Sequence, residues 1–257
     1  MSLNAQTPLP GGGYGDAMAT FYPLPLASEF MGNPSTIYPA ALVEDGKVTL
    51  VDTGFPGQLE LIRAELTKLG LSLDQIKRII LTHQDIDHIG NLPALVQATG
   101  ARVYAHAADV PYIEGQLPPL KFNPAAWESR LANLPPEARA SMQSMLSKPP
   151  SAHVDELLED GQHLPFAGAT VIATPGHTPG HISLLLDSGT LIAGDALVVE
   201  GGQLLGPREQ ATPDMKSGRA SVAKLAGFEK IERVLCYHGG LFGPGAHQRL
   251  QVIAQQS

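Results

Sequence analysis

The stretch that constrains the fold most is a cluster of histidines and aspartates directly behind an apolar run. Residues 79–81 have the character of a buried strand. Four candidate ligands follow within six positions: His83, Asp85, Asp87 and His88. Crowding such side chains together is costly unless a cation neutralises them. Because imidazole nitrogens and carboxylate oxygens are ligands of Zn²⁺, Mn²⁺ and Fe ions, the cluster predicts a metal site.

The same arrangement recurs three times downstream. Apolar runs at 171–174, 191–193 and 234–236 each lead into a turn that carries one His or Asp. Strand ends at one edge of a layered α/β domain come together, and sites are assembled there from several loops. We therefore predict that one metal site collects seven residues. They are His83, Asp85, Asp87, His88, His177, Asp195 and His238.

A simpler interpretation applies to each of these residues taken alone. A single histidine after a strand is ordinarily a surface residue or a hydrogen-bond partner. Seven residues with the same placement favour the metal site instead. His181, four positions after His177, is predicted to support a ligand and not to bind metal. Asp52, at the end of an early strand, is predicted either to have a similar supporting role or to cap the following turn, and not to bind metal.

The order of these residues resembles that of the metallo-β-lactamase superfamily. The first motif of that family is usually His-x-His-x-Asp-His. Here it reads His83-x-Asp85-x-Asp87-His88, with Asp in place of the second His. The other segments that resemble family motifs are 51–54, 174–181, 194–195 and 238–240.

The resemblance implies an α/β fold, an αββα sandwich of two mixed sheets flanked by helices. It also implies a dinuclear site with two divalent metal ions, Zn²⁺ in the first place and Mn²⁺ or Fe as alternatives. A carboxylate at position 85 favours Mn²⁺ or Fe more than imidazole would, although Zn²⁺ also accepts oxygen. One ion would bind His83, His177 and Asp85, the other Asp87, His88 and His238, with Asp195 bridging them.

This ligand set predicts a metal-dependent hydrolase. Metal ions lower the pKa of bound water from about 15.7 to about 7, so a bridging hydroxide becomes a nucleophile at neutral pH. Asp85 and Asp87 are the predicted catalytic carboxylates, with Asp85 orienting the hydroxide or carrying a proton. A small ester-like substrate such as a lactone or thioester is the leading expectation. The alternatives are an iron-dependent dioxygenase of the same fold, a phosphodiesterase and a binding module without activity.

Composition limits the partners that a chain of this kind can have. A net charge of −8 and the lack of a basic run argue against a nucleic-acid surface. No apolar stretch approaches the ~20 residues of a membrane span, and no leader pattern is present, so we expect a cytoplasmic protein. The partner expected is a small-molecule substrate, with a homodimer left open. The single cysteine, Cys236, excludes an internal disulfide and is predicted to lie in the core.

A single domain over residues 1–257 is predicted, interrupted by a helical insertion at about 107–152. The 257 residues, of which 43% are hydrophobic, suffice for one core. Helices are expected at 107–115, 128–134 and 137–146, forming either a lid over the site or a dimer surface. The Gly- and Pro-rich segment 4–17 is expected to pack against the protein or a second subunit.

Three further expectations concern the C-terminal half. Residues 196–213 are predicted to be irregular. A helix is predicted to start at Pro213 with Thr212 as its N-cap and to run to Leu225. Tyr237 is a weaker candidate for contact with a substrate oxyanion.

Overall fold

Two six-stranded sheets lie face to face and are flanked by helices. The computed structural model describes residues 19–30, 33–121 and 149–256, with isolated positions between 132 and 143. Both sheets contain parallel and antiparallel pairs. The predicted αββα sandwich of two mixed sheets is therefore confirmed.

The strands are best given in their spatial order. The first sheet contains β1 (Thr20–Pro23), β4 (Ala40–Glu44), β5 (Lys47–Val51), β6 (Ile76–Ile80), β7 (Arg102–His106) and β8 (Glu156–Leu158). The second contains β16 (Gly240–Phe242), β15 (Arg233–Cys236), β12 (Thr190–Gly194), β11 (Ile182–Leu186), β10 (Ala169–Ala173) and β9 (His163–Leu164). Two hairpins stand apart, β2 (Leu26–Phe30) with β3 (Asn33–Ile37) and β13 (Val198–Glu200) with β14 (Gln203–Leu205).

The core has three layers, each formed by apolar side chains that the strand and helix patterns place on one face. The helices of the described residues are α1 (Leu59–Lys68), α2 (Ile86–Ile89), α3 (Leu92–Thr99), α4 (Val110–Ile113), α5 (Met215–Ala226) and α6 (Ala246–Gln256). Leu42 and Leu184 belong to the layer between the sheets. Helices α1 and α3 cover the outer face of the first sheet, and α5 and α6 that of the second. Burying each Leu or Ile contributes roughly 1.5–3 kcal/mol.

Two segments differ from their predicted secondary structure. The segment 196–213 is not irregular throughout, because it contains the β13–β14 hairpin. Gly201 and Gly202 form its two-residue turn with φ of 56° and 75°, a backbone that glycine adopts without strain. The following helix begins at Met215, and its N-cap is Asp214 and not Thr212. The Asp214 side chain accepts a hydrogen bond from Ser217 N, whereas Thr212 is buried.

Part of the predicted insertion can be compared with the structure. Within the expected helix at 107–115, only the single turn of α4 is helical. The helices expected at 128–134 and 137–146 and the segment 4–17 lie almost wholly outside the described residues, so the single domain with its helical insertion stays a prediction. Across the described residues, no helix is both long and apolar enough to cross a membrane.

Candidate metal centre

Four loops at the same edge of the sandwich carry the predicted ligands. The loop after β6 contains His83 and continues into α2, which carries His88. The loops after β10, β12 and β15 carry His177, Asp195 and His238. A hydrogen bond of 2.9 Å from Ile182 N to the Thr82 carbonyl joins the first of these loops to the second sheet. Residues from both sheets are thus brought to one place.

The loops bring six of the predicted residues into two adjoining groups. Within each group the potential ligand atoms lie within 4.8 Å of one another: His83, His177 and Asp195 in the first group, and Asp87, His88 and His238 in the second. Asp195 lies between the groups. Its Oδ2 is 3.4 Å from Nε2 of both His177 and His238, and its Oδ1 is 3.3 Å from His88 Nε2.

Asp85, the seventh predicted residue, lies at the edge of the first group. Its Oδ2 is 3.0 Å from His177 Nε2 and 3.4 Å from His83 Nε2. The same oxygen accepts a hydrogen bond of 2.6 Å from Lys121 Nζ, and Oδ1 accepts one of 2.7 Å from Gln84 Nε2. Burial alone would raise the pKa of the Asp85 carboxyl, but its histidine and lysine neighbours hold that pKa well below its usual range.

Three buried atoms of the centre have no hydrogen-bond partner among the described residues. They are His83 Nε2, His88 Nε2 and Asp195 Oδ1. Buried polar atoms without partners are rare, because each costs about 1–3 kcal/mol. Cations bound in the two groups would satisfy all three. The donor set of imidazoles and carboxylates therefore fits divalent metal ions.

His88 is supported by an aspartate from the end of β5. Asp52 Oδ2 lies 2.9 Å from His88 Nδ1, which leaves Nε2 turned toward the centre. Asp52 also accepts hydrogen bonds of 2.8 Å from Thr82 N and Thr82 Oγ1. Burial lowers the pKa of His88, but Asp52, Asp87 and Asp195 outweigh it and raise that pKa well above its usual value. The supporting role predicted for Asp52 agrees with these contacts.

His181 supports Asp195 and is not placed to bind metal. Its Nε2 accepts a hydrogen bond of 3.0 Å from Asp195 N, and its Nδ1 lies 2.8 Å from Thr174 Oγ1. Burial and the charge of His177 lower the pKa of His181 to about 3, so the ring is neutral. A Cβ at Gly194 would lie 2.7 Å from His181 Nε2, so this close approach requires glycine. The supporting role predicted for His181 agrees with the structure.

Sequence reasoning missed Asp109, which ties two of the ligand loops together. Its side chain is 1% exposed. Its Oδ2 accepts hydrogen bonds from Gln84 N at 3.0 Å and Thr178 Oγ1 at 2.7 Å, and its Oδ1 accepts one from Gly180 N at 2.7 Å. Burial raises the pKa of the Asp109 carboxyl. The available signal was an acidic residue shortly after the apolar strand β7, the same placement as that of the predicted ligands.

Tyr237 does not face the substrate side of the centre. Its ring stacks on that of His88 with 3.7 Å between centroids, and its hydroxyl donates a hydrogen bond to the Asp87 carbonyl. Burial raises the pKa of Tyr237 well above its usual value. The predicted oxyanion contact is therefore wrong, and Tyr237 instead contacts His88 and Asp87, two of the predicted ligands. Cys236 is fully buried, as predicted.

The centre opens into a cavity of about 640 Å³. Five of the predicted residues line it: Asp85, Asp87, His177, Asp195 and His238. Apolar residues, among them Phe55 and Leu197, form another part of the lining. Two cationic residues, Lys121 and Arg208, also line it. Sequence reasoning missed both, because they lie in loops without a repeating pattern.

Comparison with known proteins decides the family. A family model described as the metallo-beta-lactamase superfamily matches residues 36–238. The chain belongs to this superfamily. This chain is 36% identical over 212 residues to the probable metallo-hydrolase YflN of Bacillus subtilis strain 168. The alignment covers 76% of each of the two chains. Membership of the metallo-hydrolase class predicted from the motifs is thereby confirmed.

One further sequence match and one structural match support this assignment. A hydroxyacylglutathione hydrolase of Rhodobacter capsulatus is 35% identical over 128 residues, which are 49% of this chain and 36% of that enzyme. The crystal structure of the metallo-beta-lactamase family protein TTHA1429 from Thermus thermophilus superposes with a TM-score of 0.68 at 27% identity. That match covers 92% of this chain and 78% of the other.

Proposed function

We propose that this superfamily member hydrolyses a small ester-like substrate, a thioester or lactone, at a dinuclear metal site. The observation that carries the proposal is the position of Asp195 between two ligand groups that contain buried, unpartnered atoms. Two cations sharing one carboxylate would satisfy these atoms. Zn²⁺ is the metal proposed, with Mn²⁺ and Fe as the alternatives to be tested.

The proposed ligand sets follow the two groups. His83, His177 and Asp195 would hold one cation, and Asp87, His88 and His238 would hold the other, with Asp195 common to both. Cations bound there supply a Lewis acid and lower the pKa of bound water to about 7. Asp85 could be a further ligand or only a hydrogen-bonding group. The variants Asp85→Ala and Asp85→His distinguish these two roles.

Asp85 and Asp87 are the carboxylates proposed to take part in catalysis. Both line the cavity beside the centre. The low pKa of Asp85 keeps its carboxylate ionised at neutral pH, so Oδ2 can accept a hydrogen bond from an attacking water and orient it. Asp87 Oδ2 lies 3.3 Å from His238 Nε2 and orients that ring toward Asp195.

The cavity wall supports a substrate that carries negative charge. Lys121 and Arg208 both line it, and apolar side chains such as Phe55 and Leu197 lie nearby. Arg208 Nε is held in position by a hydrogen bond of 2.9 Å to Glu200. An acyl thioester with carboxylate groups would match this combination of charge and apolar surface. The relative named as a hydroxyacylglutathione hydrolase supports the choice of a thioester.

The test combines elemental analysis with a substrate panel. Protein of known metal content is assayed with thioesters, lactones, phosphodiesters and β-lactams, and Asp195→Asn serves as the variant that disrupts the shared ligand. We expect two Zn²⁺ or Mn²⁺ ions per chain and turnover of a thioester or lactone that falls sharply in Asp195→Asn. One Fe with oxygen consumption would replace the proposal with a dioxygenase. Turnover confined to phosphodiesters would make it a phosphodiesterase, and a chain without metal would be a binding module.

A further inference from the structure

Lys121 inserts its ammonium group between two side chains of the proposed first metal position. Its Nζ lies 2.6 Å from Asp85 Oδ2 and 2.6 Å from His177 Nε2, and these two atoms are 3.0 Å apart. The Lys121 side chain is 24% exposed, so one side of it reaches the cavity. The three polar atoms form a compact triangle at the edge of the first ligand group.

In this geometry Lys121 and a metal ion would compete for the same lone pair, that of His177 Nε2. A lysine ammonium has three N–H donors and no acceptor. Because the ammonium can only donate, the 2.6 Å contact assigns His177 Nε2 as the acceptor and the ring proton to Nδ1, and an imidazole nitrogen has only one lone pair in the ring plane. The same nitrogen therefore cannot accept the lysine hydrogen and coordinate a metal at the same time. Asp85 Oδ2, in contrast, has a further lone pair for a second partner.

The second ligand group has contacts of a different kind. His238 Nε2 lies 3.3 Å from Asp87 Oδ2, and His88 Nε2 lies 3.9 Å from the same oxygen. These are approaches between histidine and carboxylate, with ligand atoms turned toward one another. Within the described part of the chain, no lysine contacts this group, so a cation entering it displaces protons. A cation entering the first group must also displace the Lys121 side chain.

We propose that the Lys121 ammonium takes the place of a metal ion at the first metal position. The side chain must then move into the cavity before a metal can bind there. In the metal-free protein its ammonium neutralises Asp85 and occupies the lone pair of His177. The two positions are then unequal, and the second group fills first. This inference rests on the dinuclear site proposed above and adds to it a residue that controls metal occupancy.

The expected effect follows from the contacts that are lost. Hydrogen bonds to charged groups are among the stronger ones in proteins, and breaking those of Lys121 opposes metal binding at the first position. Removing the ammonium should therefore tighten the weaker metal position by roughly 10- to 100-fold. The tighter position should keep its affinity, because none of its ligands contacts Lys121 through the bonds described above.

The first experiment compares metal binding by three metal-free proteins: wild type, Lys121→Met and the matched control Lys77→Met. Lys77 is exposed, and its Nζ donates to the Asp74 carbonyl near the start of β6, at the opposite end of the strand from His83. Zn²⁺ is titrated by calorimetry, and the stoichiometry is checked by elemental analysis. We expect two unequal positions in wild type and the control, with the weaker one tightened in Lys121→Met. An unchanged or weakened second affinity in Lys121→Met overturns the inference.

A second experiment uses the wild-type chain and so does not depend on the folding of the variant. Lysines are acetylated with a small amine-reactive reagent, with and without Zn²⁺, and the modified positions are quantified by mass spectrometry. Zn²⁺ should raise the labelling rate of Lys121 severalfold and leave that of Lys77 unchanged, whereas equal labelling of Lys121 in both states overturns the inference. If wild type and variant both bind no metal, the proposed function fails; if both bind two ions with the same affinities, only the role of Lys121 fails.

Discussion

Replacing Asp109 with asparagine tests whether one buried carboxylate holds two ligand loops together. Asp109 accepts three hydrogen bonds, from Gln84 N, Thr178 Oγ1 and Gly180 N. Asparagine has nearly the same shape but only one acceptor oxygen, and its amide nitrogen is a donor. If the oxygen faces Gln84 and Thr178, the amide nitrogen faces the N–H of Gly180. One backbone donor is then left without a partner in a buried place.

The size of the effect can be worked from these contacts. A buried donor without a partner costs about 1–3 kcal/mol. The two remaining bonds also lose the negative charge that strengthens them. Asparagine relieves the cost of burying a charge, which the raised pKa of Asp109 reveals, and this offsets part of the loss. We expect a net destabilisation of about 2 kcal/mol, which lowers the melting temperature by roughly 4–8 °C in a chain of this size.

The assay is denaturant unfolding of metal-free wild type, Asp109→Asn and the exposed control Asp74→Asn. Metal affinity is measured on the same proteins, since loosened loops should weaken the first metal position. The pKa of Asp109 is raised in the folded state, so its carboxyl contributes fully to the free energy of unfolding below pH 3.8. That contribution is lost as the pH rises through the folded pKa. The stability gap between wild type and Asp109→Asn should therefore narrow with rising pH. If the free energies of unfolding of wild type and Asp109→Asn differ by less than about 0.5 kcal/mol at every pH, and metal affinity is unchanged, Asp109 does not hold the two loops together.

Three further predictions concern the centre itself. A chelator should lower the melting temperature of metal-loaded protein, because buried atoms such as His83 Nε2 lose their partner, and identical melting curves would contradict this. Asp52→Asn should weaken metal binding by roughly 10- to 100-fold, since Asp52 orients His88; metal titration with unchanged affinity would show that the ring needs no such support. Asp85→Ala should lower the occupancy of the first position if Asp85 is a ligand, and Asp85→His should restore it with a preference for zinc. Full two-metal occupancy in Asp85→Ala, counted by elemental analysis, would show that Asp85 only bonds to water.

Much of the centre could be predicted because its residues share one local signal. Each predicted ligand follows an apolar run closely, and parallel neighbours such as β5 with β6 and β12 with β15 bring such ends to one edge. That signal is contained in a few consecutive residues. The αββα sandwich of two mixed sheets was predicted from the resemblance of these motifs to those of the superfamily, and the structure confirms it.

The residues that were missed act through contacts that no local pattern encodes. Asp109 bonds to Gln84 and Gly180, which are 25 and 71 positions away. Lys121 reaches Asp85 and His177 across 36 and 56 positions. Asp109 follows β7 as the predicted ligands follow their strands, but its partners are two backbone N–H groups and the Thr178 hydroxyl, which the sequence does not identify. Lys121 follows no strand, and its partners are the predicted ligands themselves. Such contacts are known only once the loops are placed in space.

The start of α5 shows a different limit. Both Thr212 and Asp214 are residue types that cap helices, and both precede the helical segment. The choice between them depended on packing, because Thr212 is buried whereas Asp214 is free to accept the hydrogen bond from Ser217 N. A capping preference alone therefore located the helix start only to within a few residues.

The β13–β14 hairpin limits how this protein can acquire new substrates. Leu197 and Val198 line the cavity, and the next residue, Val199, pairs with the opposite strand of the hairpin and donates a hydrogen bond of 3.1 Å to the His238 carbonyl. The backbones are so close that a Cβ at Gly239 would lie 1.9 Å from Val199 O. The cavity wall and the loop that carries His238 therefore cannot move independently of each other. Directed evolution of specificity should succeed through side-chain changes on this wall and through the exposed turn at Gly201, whereas insertions that shift the register of Val199 would misplace His238.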